Sequence, residues 1–286
     1  MTTTQPTPTR PTAPRASAEP STGTRATLRR VRALARAEIT LLLRNRVTLF
    51  NGVALAPLMV GLIAGVGGDR LLDLYVPGGA ASAVMIMVIA FALTFVVYYN
   101  LTTVLVARRE ELVLKRLLVG ECSRTEILVA TVVPAAVVMG LQVILSVVVA
   151  LVTIGTPTFA NPVLIVVGVV GGLVVLAQLA VATSGITRTV ESAQLTTLPG
   201  LVLLGIGAFI PVTVLPDWAV RVLELTPLNP VASLLRLGIG GVDAEGAPLD
   251  LAQTFEQGLR PLVVLVAWVL IGSLLARRSM RWEPRR

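Results

Sequence analysis

The sequence predicts an all-α integral membrane protein with six transmembrane helices. Three observations carry that prediction. Six uncharged apolar stretches, most of them near the roughly 20 residues a span needs, divide the 286-residue chain. Hydrophobic residues make up 55% of it and charged residues 14%, against about 25% charged in a soluble domain. Of the 24 Lys and Arg, all but Arg70, Arg221, Arg236 and Arg260 fall on one side of the six stretches. Cytoplasmic loops keep positive charge during insertion, so this partition places both termini in the cytoplasm.

Residues 1–24 hold eight Thr and five Pro and almost nothing apolar. They read as a disordered cytoplasmic tail. From Arg25 to Arg46 an amphipathic interface helix is expected. Arg25, Arg29, Arg32 and Arg36 fall in one arc at 3.6 residues per turn, beside a stripe of Leu28, Val31, Ala35 and Leu42. Such a helix lies on the bilayer with its arginines near anionic headgroups, either as a plain anchor or also against a cytoplasmic partner.

The spans follow at about 47–66, 79–103, 127–154, 162–186, 195–215 and 261–276. The last, between Arg260 and Arg277, is short for a bilayer and would rely on snorkelling of both arginines. Two small-residue pairs, Gly61 with Gly65 and Gly168 with Gly172, are candidate close helix contacts. Residues 216–259 are apolar but broken by Pro216, Pro227, Pro230 and the glycines of 238–241. Outer re-entrant helices before the last span fit this pattern, with Trp218 at the headgroups, and so does a folded outer loop.

The absences narrow the function. No predicted span contains Asp, Glu, Lys, Arg or His, which disfavours proton coupling, because a proton needs a titratable site at depth. Asn51, Gln142 and Gln178 are amides inside the spans, suited either to interhelical hydrogen bonds or to a substrate path. Lys115, the lone lysine, follows no glycine-rich turn and precedes no hydroxyl residue, so it is not a P-loop lysine. No catalytic, cofactor-binding or metal-ligating set emerges. Asp69 and Asp73 are too sparse for a magnesium site, although a membrane enzyme acting on an isoprenoid or lipid substrate stays open as the rival class. Cys122 has no partner for a disulfide or a metal. The +8 net charge follows the topology, and with no groove-binding motif a nucleic-acid partner is excluded.

The loop between the second and third spans is the most specific stretch. Its spacing predicts a charged helix from Arg108 to Leu118, a turn at Gly120, and a capping box Ser123-Arg-Thr-Glu126 opening the third span. Glu111 and Lys115 form an i,i+4 pair in the favourable order. The helix suits either docking to a partner or a plain solvated connection. Arg109, Glu110, Glu111, Leu114, Lys115, Arg116 and Leu117 are the candidate contacts.

These elements resemble the permease subunit of ABC-2 type (ATP-binding-cassette) exporters over residues 25–286. The best local matches are 109–118, Glu191-Ser-Ala-Gln, Leu198-Pro-Gly, Leu215-Pro-Asp-Trp and Thr226-Pro-Leu-Asn-Pro230. The resemblance implies that the charged loop is a cytoplasmic coupling helix. It also implies a separate ATPase subunit holding ATP and magnesium, a second permease subunit (most simply a homodimer), and a bacterial plasma membrane location. The cargo it implies is an amphipathic drug, antibiotic or lipid-like molecule. The family often has Gly-Thr where this chain has Leu112-Val113, and Thr-Pro where it has Gly120-Glu121, which points to a particular ATPase partner.

Overall fold

The computed structural model of the chain describes residues 24–44, 46–68, 78–119, 123–209, 216–243 and 246–280. Among these the fold is helical, with one isolated bridge between Val242 and Pro248. In order the helices are α1 (Thr24–Arg44), α2 (Arg46–Gly65), α3 (Ala80–Glu110), α4 (Val113–Val119) and α5 (Arg124–Thr153). Then come α6 (Pro162–Ile186), α7 (Val190–Phe209), α8 (Asp217–Glu224), α9 (Asn229–Leu235) and α10 (Leu251–Ser279). Among the described residues, α3, α5, α6 and α10 are long and apolar enough to cross a membrane. The first expected span corresponds to α2. The fifth corresponds to α7, and its end at 210–215 lies outside the described residues. So do residues 1–23, which hold all but the last residue of the expected tail, together with Arg70, Asp69, Asp73 and Cys122.

The central helix is α3. Leu93, Val97, Leu101 and Leu105 have almost no exposed surface, and they meet Leu176 of α6 and Leu234 of α9 in one core. Lipid tails are as apolar as leucine, so close packing rather than water exclusion holds such helices together. Small residues supply it. Gly172 leaves room for Leu93 and Val231, and Gly168 for Leu234 and Leu235. That glycine pair is the close contact expected of it, whereas a Cβ at position 61 would lie 3.9 Å from its nearest neighbour, a methyl of Val149, and one at position 65 would meet nothing within 4 Å among the described residues.

Midway along α3 the backbone passes through a π-helical stretch, Ala92–Tyr99. Such stretches are rare and mark functional or strained places. The Tyr98 hydroxyl fills the space a side chain at position 200 would need, so Gly200 is required there.

The segment between α8 and α10 runs along α10 toward its start. Trp268 Nε1 donates to the Leu225 carbonyl at 3.0 Å, about 25 Å along α10 from its start at 1.5 Å per residue. From there α9 and a π-helical extension, Arg236–Gly240, run back to the bundle end. At that end the Asn161 amide donates to the Gly238 carbonyl at 2.8 Å. Asn161 also caps α6, its Oδ1 accepting from the amides of Val163 and Leu164, and its Nδ2 donates to Thr254 of α10 at 3.0 Å.

Two expectations are corrected here. The last helix is not the short 261–276 piece: it starts at Leu251, so the segment before it ends at Asp250. An Asp250–Gln253 capping box starts it, each residue's side chain accepting from the other's backbone N–H. Pro261 then sits inside the helix rather than opening it, which a membrane helix tolerates when neighbours satisfy the freed carbonyl. The charged helix expected from Arg108 to Leu118 is also not one helix. The buried face of Leu101, Leu105 and Arg109 carries α3 on through Glu110, and the chain breaks at Leu112, whose φ is 61°.

Candidate functional site

The candidate site is the end of the bundle where α1, α4 and the α6–α7 junction meet, called here the basic end. Three side chains lock it together. Arg108 pairs with Glu38 of α1 and donates from Nη1 to Thr131 of α5 at 3.1 Å. Glu126 closes the capping box with Ser123 and lies 3.7 Å from Arg30. Arg109 is 1% exposed. Its guanidinium donates to the carbonyls of Ser184 at 2.7 Å, Thr187, and Arg188 at 3.3 Å.

The capping box therefore forms as expected, and it is also the point where α1 touches α5. Arg29, Arg32 and Arg36 of α1 are exposed, as the arc predicts, while Ala35 packs inward. The stripe is narrower than expected, since Leu28 is exposed. The side chains of Arg25 and Leu42 lie outside the described residues.

Of the expected docking residues, Arg109 and Leu114 are corrected to inward positions. Arg109 finds carbonyls at the end of α6, and Leu114 has no exposed surface because it pins α4 to the bundle. The exposed tip is formed by Glu110, Glu111, Lys115 and Arg116, with Leu117 half-buried behind them. The break at Leu112 means that Glu111 and Lys115 do not share a helix, so the i,i+4 pairing does not apply.

Leu112 itself sits in left-handed backbone, where a Cβ costs about 1–2 kcal/mol. This is the position at which the resembled family often has glycine. Leu112→Gly is expected to raise thermal stability by up to about 1 kcal/mol, the gain being cut by glycine's larger loss of chain freedom. A melting curve of the purified variant in detergent checks this.

Gln142 and Gln178 do not come together. Gln178 donates from Nε2 to Ser273 of α10 at 2.9 Å, with its side chain against Gly272, and so links two helices. Gln142 lies on the buried face of α5, and its Oε1 has no partner among the described residues. Thr94 Oγ1 and Ser146 Oγ are likewise buried and unpartnered. The side chain of Asn51 lies outside the described residues. Nearby, between α2 and α3, is a wholly apolar cavity of about 310 Å³ bounded by Met59, Ile63, Met87, Phe91 and Phe95. No signal in the sequence marks that cavity, because its lining is indistinguishable in type from lipid-facing residues.

The arrangement has the parts of a mechanical joint. A short helix stands at the basic end on a strained turn, its charged tip outward and its root held by a buried arginine and a buried leucine. Compared with known proteins, residues 29–239 match the family model described as ABC-2 type transporter. No curated protein matches the chain.

Proposed function

The chain belongs to the ABC-2 type transporter family, and on that premise we propose that it is the six-span permease of an ATP-driven exporter in a bacterial plasma membrane. A separate ATPase subunit holds ATP and magnesium and docks on α4. A second copy of the permease completes the pathway, both termini are cytoplasmic, and α8 and α9 re-enter the outer leaflet. The observation that carries this reading is α4: seven residues, anchored by Leu114, presenting Lys115 and Arg116 outward beside Glu110 and Glu111. A plain connection between two spans needs no such anchor.

The cargo is amphipathic. Support comes from the apolar cavity between α2 and α3 and from the polar atoms of Thr94, Gln142 and Ser146 at mid-bundle, which have no partner among the described residues. A buried unpaired polar group costs about 1–3 kcal/mol, and a polar group on a cargo would offset that. Of the three amides, Gln142 is the one assigned to the passage.

Glu111→Arg tests the docking assignment. Reversing a charge at a complementary interface sets like charges against each other. Recovery of the ATPase subunit with the permease is expected to fall about tenfold, or hydrolysis to continue without transport. A variant that assembles and transports like the parent would show that Glu111 is not in the interface.

A further inference from the structure

We infer that Arg109 is a positioning residue that makes the basic ends of α3 and α6 move as one body. Force applied at α4 is then delivered to the α6–α7 junction. This rests on reading α4 as the docking element of an ATPase subunit.

The last carbonyls of a helix have no partners within it. Ser184 lies in the final turn of α6, and Thr187 and Arg188 lie just beyond it. All three carbonyls accept from Arg109 of α3. A side chain of one helix thus serves as the C-terminal cap of another, and its positive charge sits at the negative end of that helix's dipole. The planar fork of arginine can reach several acceptors at once, which a lysine ammonium does less well.

Two more contacts run along the same pair of helices. Thr102 Oγ1 lies 3.5 Å from the Ala180 carbonyl, and the Tyr98 and Thr183 hydroxyls are 3.2 Å apart. Tyr98 already belongs to the π-helical stretch of α3, and further along that stretch Thr94 Oγ1 is buried without a partner among the described residues. Below them is the tight turn at Leu112. The stretch from Asn100 to Glu110 is therefore a rigid lever clamped to α6. It has a place to change shape above it and the docking helix directly below it.

The test uses the permease assembled with its ATPase subunit in lipid nanodiscs. Spin labels are placed on cysteine pairs at 119 and 186, and at 152 and 186, in a Cys122→Ser background. Val119, Val152 and Ile186 are all exposed. Distances are read with and without a non-hydrolysable ATP analogue and magnesium. In the parent, nucleotide is expected to change the 152–186 distance and leave 119–186 unchanged. In Arg109→Gln the 152–186 change is expected to vanish, and in Arg109→Lys to fall by about half, while the ATPase still co-purifies with both. Should the Gln variant fail to assemble, the Lys variant decides. A full 152–186 change in an assembled Arg109→Lys complex overturns the inference. So does a parent in which 119–186 changes as much as 152–186. Failure of the parent to bind the ATPase at all overturns the docking reading itself, and is seen before any distance is measured.

Discussion

Gly185→Val is expected to destabilise the bundle by about 3 kcal/mol, at the upper end of the usual cost of overpacking. A Cβ at position 185 would lie 2.0 Å from the Ser279 carbonyl oxygen and 2.5 Å from its carbon. Both are backbone atoms of α10, so no side-chain rotation relieves the clash. The helices must part, and with them moves the Ser184 carbonyl that holds Arg109. Thermal unfolding followed by fluorescence-detected gel filtration reads the loss. A variant melting with the parent would mean that α6 and α10 do not approach this closely.

The second large effect is local. Leu114→Asn is expected to free α4 while leaving the spans folded. The helix has seven residues, and Leu114 is its fully buried member. Truncating such a leucine costs about 2–5 kcal/mol, and the substituted amide would have to find a partner in an apolar site. Hydrogen exchange over Val113–Val119 is expected to quicken about a hundredfold, because local opening needs only that local energy. Recovery of the ATPase subunit should drop with it. Unchanged protection at α4, or full recovery of the ATPase, would show that Leu114 is not the anchor.

Much of this fold was legible from pattern. Charge partition and apolar runs located α3, α5 and α6, and Ser123-Arg-Thr-Glu126 marked the start of α5 because capping is a local event. The start of α10 carried the same kind of signal, Asp250-Leu-Ala-Gln253, and it was missed because the uncharged run begins only after Arg260, at Pro261. That proline opens helices in water but sits within one here. The end of α3 was misread for a different reason. Charge suggested that Arg108 and Arg109 belong to an exposed helix. Both are held by partners 70 or more residues away in sequence, Glu38 for Arg108 and the Ser184 carbonyl for Arg109. No local pattern carries that information. The family's glycine at the place of Leu112 was the usable hint, since glycine there implies left-handed backbone and hence a break. The apolar cavity had no signal at all, being a matter of how two helices fail to fill the space between them.

Asn161 has a consequence for the timing of assembly. Its amide waits for Gly238, and its side-chain nitrogen for Thr254, 93 residues later in the chain. At about 5–20 residues per second, roughly 5–20 s of synthesis separate the cap of α6 from the residue that completes it. Until then water at the bundle end must serve those two donors. The Arg109 clamp at the basic end forms sooner, as soon as Arg188 has been made and Arg109 has its three carbonyls. During biosynthesis the clamp of α3 on α6 thus precedes the joining of α6 to α10, which begins with Thr254 at Asn161 and ends with Ser279 against Gly185.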